Sequence, residues 1–286
     1  MKVQRAVETQ EGPGFIVDRV ITPRAPLDPF LLLDHFGPKS LPKGERFPAG
    51  PHPHRGFETV TYSLSGSIEH HDAWGNYGVL GPGDVEWMRA GSGLVHGLEG
   101  KLKSDGLPIE GLQLWVNLPA KDKMSSPGIA FTRKGDTPIV RLPGGRVHVI
   151  AGTFQDAESQ AGTLWPIRYL HVELEDGSVD LNVEPDESAF VYVLRGAITV
   201  NGQLVQERHR AELANRFTAR GTNAAFVFLS AKPIGEPIEA YGPFVMNEHD
   251  EIVQAVRDFQ AGKMGDPMAS LPGTKASDSQ MQAANT

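Results

Sequence analysis

The sequence predicts an all-β protein made of two β-barrels in tandem with a short C-terminal helix. Glycine (32) and proline (22) together supply 54 of the 286 residues, and turns are where these two residues are used. The middle of the chain reads as short segments of alternating polarity separated by such turn residues. A repeat completes the case. Tyr62-Ser-Leu64-Ser-Gly66-Ser-Ile68 returns 130 positions later as Tyr192-Val-Leu194-Arg-Gly196-Ala-Ile198, each a strand, a glycine turn and a strand, as a duplicated domain would produce.

Taken in order, Phe57 to Leu64 (FETVTYSL) alternates and sets Glu58, Val60, Tyr62 and Leu64 on one face, which is expected to line a barrel interior. Gly66 turns into Ser67 to His71, and Gly81-Pro82-Gly83-Asp84 breaks the chain before Val85 to Met88. Leu112 to Leu118 (LQLWVNL) is a further strand. The junction is expected between about Pro119 and Arg141, giving a metal-binding barrel over 1–130 and a second barrel without a metal site over 131–263. Within the latter, Ile252, Val253, Val256 and Phe259 recur at helical spacing, predicting a helix over 248–260 with Asn247 as its cap and Gly262 at its end. Residues 264–286 are polar and unpatterned, as in a mobile tail.

Composition narrows the function. With 40% hydrophobic and 22% charged residues, the chain has the balance of a soluble, packed protein. Its net charge is −8, and no Lys/Arg cluster offers the cationic face that a phosphate backbone requires, which argues against direct nucleic-acid binding. The absence of cysteine excludes disulfides, thiolate zinc sites and a cysteine nucleophile. Any metal must be held by imidazole and oxygen. Met1 to Gln10 has no apolar core of signal-peptide type, and no apolar stretch has membrane-spanning length, so a cytoplasmic location with no membrane partner is expected.

Pro51-His52-Pro53-His54 is the most informative stretch. A proline drives the residue before it into extended backbone, where residues i and i+2 point to one side. Two imidazoles are therefore presented together, and Glu58 follows on the same face if the strand continues. His96 arrives after the Gly81-Pro82-Gly83 turn and Gly91-Ser92-Gly93, where glycines permit close backbone approach. An isolated His-x-His is as often a solvated pair. Here the repeat acts as a control: shifted by 130, the three histidines fall on Asn182, Glu184 and Phe226. A packing role would favour keeping the set in both copies. His52, His54 and His96 are thus the candidate ligands, for Fe(II) or another divalent ion (Mn, Ni, Co, Cu or Zn), a choice that spacing does not make.

His-x-His-x-x-x-Glu with a later histidine after a glycine-rich turn is the metal pattern of cupin barrels. More specifically, Asp28-Pro-Phe-Leu-Leu-Leu-Asp34, His52-Pro-His-Arg-Gly-Phe-Glu-Thr59, Pro82-Gly-Asp84 with Trp87-Met88, Gly111-Leu-Gln-Leu-Trp-Val-Asn-Leu118 and Tyr241-Gly-Pro-Phe-Val-Met-Asn247 resemble the pirin family. The resemblance implies a bicupin (double-stranded β-helix) fold with the metal in the N-terminal barrel. It also implies quercetin 2,3-dioxygenase activity, in which dioxygen cleaves a flavonol, a small aromatic substrate, with loss of carbon monoxide. A carboxylate, Glu99 or Glu58, would take the proton of the 3-hydroxyl. Pirins place an acid ligand two residues after the third histidine, a position that is Leu98 here, with Glu99 next to it. A bulge would bring Glu99 onto the ligand face. Otherwise Glu58 or water completes the shell. The resemblance implies a second role too, a metal-dependent regulator that binds a protein partner, and a third reading is an oxygenase of another aromatic or enolic compound.

Other residues carry weaker expectations. His70 and His71 beside Asp72 read as a solvated hairpin end rather than a pair with one member turned inward, Glu69 as a surface charge, and His35 as structural near the barrel mouth. His148, His171, His209 and His249 show no partner pattern. Trp74, Trp87 and Trp115 could line an aromatic pocket, although tryptophan on a β pattern is more often core.

Overall fold

A computed structural model describes residues 1–11, 15–40, 50–99 and 108–266, apart from the side chains of Leu98 and Glu99. Among these residues the first half forms two facing sheets. A seven-stranded sheet runs in the order Gly128–Thr132, Val85–Arg89, Phe57–Ser65, Ile109–Asn117, Phe30–Lys39, Phe15–Ile21, Val7–Glu11. A four-stranded sheet runs His52–His54, Leu94–Glu99, Ile68–Asp72, Tyr77–Leu80. The second half forms a nine-stranded sheet that includes Arg168–Leu181, Ser188–Arg195 and Phe217–Ala231. The expected two-barrel, all-β architecture is present, and the predicted strands appear as Phe57–Ser65, Ile68–Asp72, Val85–Arg89 and Ile109–Asn117. Gly66 and Gly196 occupy the same turn position in the two halves of the repeat.

The apolar faces do not all point where alternation suggested. Val147, Val149, Leu170, Val172 and Phe226 fill the second barrel. Val60, Tyr62, Trp87 and Leu114 instead join Tyr169, Phe190, Tyr192 and Val227 in a core that lies between the two domains. The expectation that Val60, Tyr62 and Leu64 line the first barrel is therefore corrected. Two sheets packed face to face bury the apolar side of each against the other, which leaves the opposite side of Phe57–Ser65 to line the first barrel's interior. That side is polar: Thr59 and Thr61 are fully buried, and Thr61 Oγ1 donates to Gln113 Oε1 at 2.8 Å.

The chain change-over is reciprocal. Lys2–Arg5 pairs with His209–Leu213 in the second domain's sheet, and the passage from the first domain's sheet to the second falls between Thr132 and Ile139. The end of the chain returns to the first domain. Phe244–Met246 and the helix His249–Gln260 pack Phe244, Met246, Ile252 and Ala255 against Val95. The helix is capped by Glu248 in a reciprocal box with Glu251 rather than by Asn247, whose amide donates to Glu236 and Pro237. Met264, placed in the tail by its sequence, is fully buried in this cluster, and the tail beyond Asp266 lies outside the described residues. No helix among the described residues is long and apolar enough to cross a membrane.

Candidate metal centre

The strand His52–His54 runs antiparallel to Leu94–Glu99, with His52 opposite His96 and His54 opposite Leu94. Residues i and i+2 share a face, so His52, His54 and His96 converge on one side of a two-strand ribbon. Their ring centroids are 4.7 Å (His52–His54), 4.5 Å (His52–His96) and 5.0 Å (His54–His96) apart. One donor nitrogen from each lies within 4.8 Å of the others.

Backbone carbonyls hold the His52 and His54 rings. His52 Nδ1 lies 2.8 Å from the Gly50 carbonyl, so Nδ1 carries the proton and Nε2 keeps its lone pair. The Pro243 carbonyl binds the His54 ring, while His54 Nδ1 is buried without a partner. Neither ring nitrogen of His96 has a partner. Burial lowers the pKa of His52 and lowers those of His54 and His96 well below the usual value, so all three are neutral. Three neutral imidazoles, His52 half-buried and His54 and His96 buried with unpartnered nitrogens, bring their donor atoms within 4.8 Å of one another, and a divalent transition metal satisfies the polar groups left over. The residues fit such an ion.

The C-terminal segment closes over this ribbon. Gly56 has φ +89°, and a Cβ there would meet the Val245 carbonyl at 1.9 Å, so only glycine allows that approach. Arg55 donates to Ser92 O at 2.7 Å and to Asp258 Oδ2 at 2.9 Å, tying the ligand strand to the helix. Phe57 packs 5.1 Å from His54, and Trp115 lies 4.4 Å from Phe57 and 5.1 Å from His54. Trp87 is core, as expected, whereas Trp74 is exposed.

Glu58 is not near the cluster. It stands on the opposite face of its strand from Phe57, is 6% exposed, and accepts the Leu164 N–H at 2.7 Å across the domain interface. The sequence placed it on the ligand face by assuming one unbroken strand. The bend at Arg55-Gly56 separates His52–His54 and Phe57–Ser65 into different sheets, which removes the common face. Burial pushes its carboxyl up to about 7. Because that value exceeds the unfolded one, the fold holds a proton between about 4.5 and 7 that the unfolded chain releases. The associated stability is complete below this window and is lost as pH rises through it. Glu58→Gln removes the dependence, so urea unfolding should show wild type losing about 3 kcal/mol relative to the variant between pH 4.5 and 7.5. Parallel pH profiles would refute this.

The side chain of Glu99 lies outside the described residues. The backbone register from His96↔Asp72 to Glu99↔Glu69 is unbroken, so the bulge that was to turn Glu99 toward His96 is absent. Two residues read as solvated are buried instead. His70 is fully buried, its ring 5.3 Å from that of His96 and its Nδ1 3.1 Å from Glu86 Oε2. Glu69 is 5% exposed. Burial lowers the His70 pKa, but Glu86 and Asp72 outweigh it and raise it to about 9. Donor atoms of His70, Glu86 and His96 lie within 4.8 Å of one another. Sequence reasoning missed Glu86. Its signal was a charged residue inside the short apolar run Val85-Glu86-Trp87-Met88, on the face turned toward the histidines. His35 is structural as expected, buried with its Nε2 on Glu110 at 3.0 Å and its Nδ1 3.2 Å from Tyr192 Oη.

Comparison with known proteins gives the family. Residues 15–116 match the family model described as Pirin, and residues 169–265 match the Pirin C-terminal cupin domain. A Pseudomonas aeruginosa protein named "Putative quercetin 2,3-dioxygenase" is 41% identical over 247 residues, covering 83% of this chain and 86% of that protein. Human pirin is 37% identical over 273 residues, covering 90% of this chain and 91% of its own length. A crystal structure described as quercetin 2,3-dioxygenase from Acinetobacter baumannii superposes with a TM-score of 0.88 at 34% identity, covering 94% of this chain and 98% of that one. The Escherichia coli pirin YhhW, solved with nickel(II), shares the fold at a TM-score of 0.64 and 16% identity, over 81% of this chain and 99% of that one. A bicupin with its histidine cluster in the first barrel, matched along both halves by the family's own models, this chain belongs to the pirin family.

Proposed function

We propose that this chain is a mononuclear metal-dependent dioxygenase that opens flavonols of the quercetin type. The observation that carries the reading is the convergence of three neutral imidazoles, half-buried His52 with buried His54 and His96, whose donor nitrogens lie within 4.8 Å of one another, in a chain 41% identical to a relative bearing a dioxygenase name. His52, His54 and His96 would hold the ion from one side. When bound, a divalent transition metal supplies Lewis acidity toward an enolic oxygen and a redox-capable site for dioxygen chemistry.

The chain's own residues do the rest. The Phe57 and Trp115 rings against His54 exclude water from one side of the cluster. His70 and Glu86 pack against His96, the His70 ring 5.3 Å from its own and the donor atoms of all three within 4.8 Å of one another, and so restrict how that ring can turn. Removing the flavonol 3-hydroxyl proton needs a base within hydrogen-bond reach, a task a carboxylate can fill. With Glu58 turned into the domain interface, the candidates are Glu86, buried with a carboxylate oxygen within 4.8 Å of His96, and Glu99.

The experiment is anaerobic loading with Fe(II), and separately with Mn, Ni, Co, Cu or Zn, followed by quercetin and air. Flavonol loss with matching dioxygen uptake and carbon monoxide release, abolished by a chelator, is expected. Metal-loaded protein that consumes no flavonol with any of these ions would overturn the assignment, and dioxygen uptake with another enolic aromatic compound alone would move it to that substrate. Repeating the assay with Glu86→Gln and Glu99→Gln identifies the proton acceptor, whose loss should lower turnover about 10²–10⁴-fold.

A further inference from the structure

We propose that His148, His171 and Glu173 form a second site for a divalent transition metal, on the face of the second domain that is turned toward the first. Nothing in the dioxygenase reading uses these residues. They lie outside the second barrel's interior, which is filled by apolar side chains including Val149, Val172 and Phe226.

The site is built from two adjacent strands. Gly145–Ala151 and Arg168–Leu181 are antiparallel with His148 directly opposite His171, and their rings stack with centroids 5.4 Å apart at 23°. Glu173 follows His171 by two residues on the same face. The alternating positions Val147, Val149, Leu170, Val172 and Leu174 point the other way, into the second barrel. Donor atoms of the three residues lie within 4.8 Å of one another.

Unsatisfied atoms mark the place as a ligand site. His171 is 7% exposed and its Nε2 is buried without a hydrogen-bond partner among the described residues, while the buried Nε2 of His148 faces Glu173 Oε2 at 3.9 Å, beyond hydrogen-bond reach. Leaving one such group unpaired costs about 1–3 kcal/mol, and two side by side call for a shared occupant. Tyr62 of the first domain places its hydroxyl 2.9 Å from His171 Nδ1. In the liganded form Nδ1–H donates to that oxygen and Nε2 offers its lone pair, the outer contact usual behind a ligating histidine. Burial holds the His171 pKa down at about 4, so the ring is in the neutral form that binds metals.

The repeat supplies an internal control. Tyr192, the counterpart of Tyr62 in the other half, reaches across the interface to His35 in the same way. There, however, Glu110 completes the histidine at Nε2, and Arg208 lies against Nδ1. The same tyrosine–histidine pair is closed by protein at one end of the interface and left open at the other.

The open end faces a cleft of about 240 Å³ between the domains, lined in part by Lys134, Arg141 and Arg146. Arg146 contacts the Glu173 carboxylate from outside and in the liganded form keeps one oxygen while the other turns to the ion. Two imidazoles and one carboxylate suit zinc, nickel or copper, with a position left for water or an anion drawn by the basic rim.

The test uses the full chain and zinc as probe. Equilibrium dialysis at low-micromolar free zinc should give two bound ions per chain. His148→Ala should weaken one of them at least about 100-fold while leaving the other ion and the flavonol assay unchanged. His54→Ala should show the reverse pattern, which keeps the outcome separate from that of the dioxygenase reading. His148 is half-buried and its variant should fold; anomalous diffraction at the zinc edge on wild-type crystals gives a readout that needs no variant, with a peak expected between His148 and His171. A single ion lost with His54→Ala and indifferent to His148→Ala, or a second ion indifferent to both His148→Ala and Glu173→Gln, would overturn the proposal.

Discussion

His96→Ala is expected to remove one bound transition-metal ion per chain and to lower flavonol turnover at least about 100-fold. Outer-shell partners of metal ligands are typically worth 10–100-fold in affinity or activity, and a ligand that contributes its own nitrogen should be worth no less. His96 is the residue the other two converge on, at 4.5 Å from the His52 ring and 5.0 Å from the His54 ring. It is also the one that meets His70 and Glu86. Its loss therefore leaves a two-imidazole remnant and breaks the link to the buried acid. Elemental analysis and the quercetin assay read the two effects, and circular dichroism confirms the fold. Full retention of the ion in the variant would refute the three-histidine centre.

Lys123→Met should destabilise the protein by about 3–5 kcal/mol and weaken the first metal site about 10–100-fold. Lys123 is 1% exposed. Its ammonium donates to Asn117 Oδ1 at 2.6 Å, to the Gly56 carbonyl at 2.9 Å and to the Val245 carbonyl at 3.1 Å, using all three of its hydrogens. Burial lowers its pKa to about 8, which still leaves it charged at pH 7. Methionine fills the volume but leaves three buried acceptors without a donor, each costing about 1–3 kcal/mol and not fully additive. Gly56 follows the ligand strand by two residues, and Val245 belongs to the segment whose Pro243 carbonyl binds His54. The lysine thus fastens the strand bearing two ligands to the segment that covers it. Guanidinium unfolding measures the first effect and zinc dialysis the second. A change below about 1 kcal/mol with unaltered affinity would show that Lys123 is not the fastener.

No pattern pointed to Lys123. A lysine in a turn between Pro119 and Pro127 reads as solvated, and only the arrival of a segment 122 residues later surrounds it with carbonyls. The same holds for Arg55 and Asp258, 203 positions apart. Glu58 was misplaced and Glu86 missed for a related reason. Alternation states which residues share a face, but not what that face meets.

What the sequence determined by itself was local and periodic. Turn residues and alternation gave the strands, the 130-residue repeat gave two barrels, and Pro-His-Pro-His with a distant histidine gave the cluster, because extended backbone presents i and i+2 together whatever surrounds it. The tertiary structure decided which side of each strand is inside, which acid lies near the histidines, and where His148 and His171 meet. The domains pack face to face and exchange their terminal segments, so the surroundings of these side chains come from residues far away in the chain, and a local pattern carries no record of them.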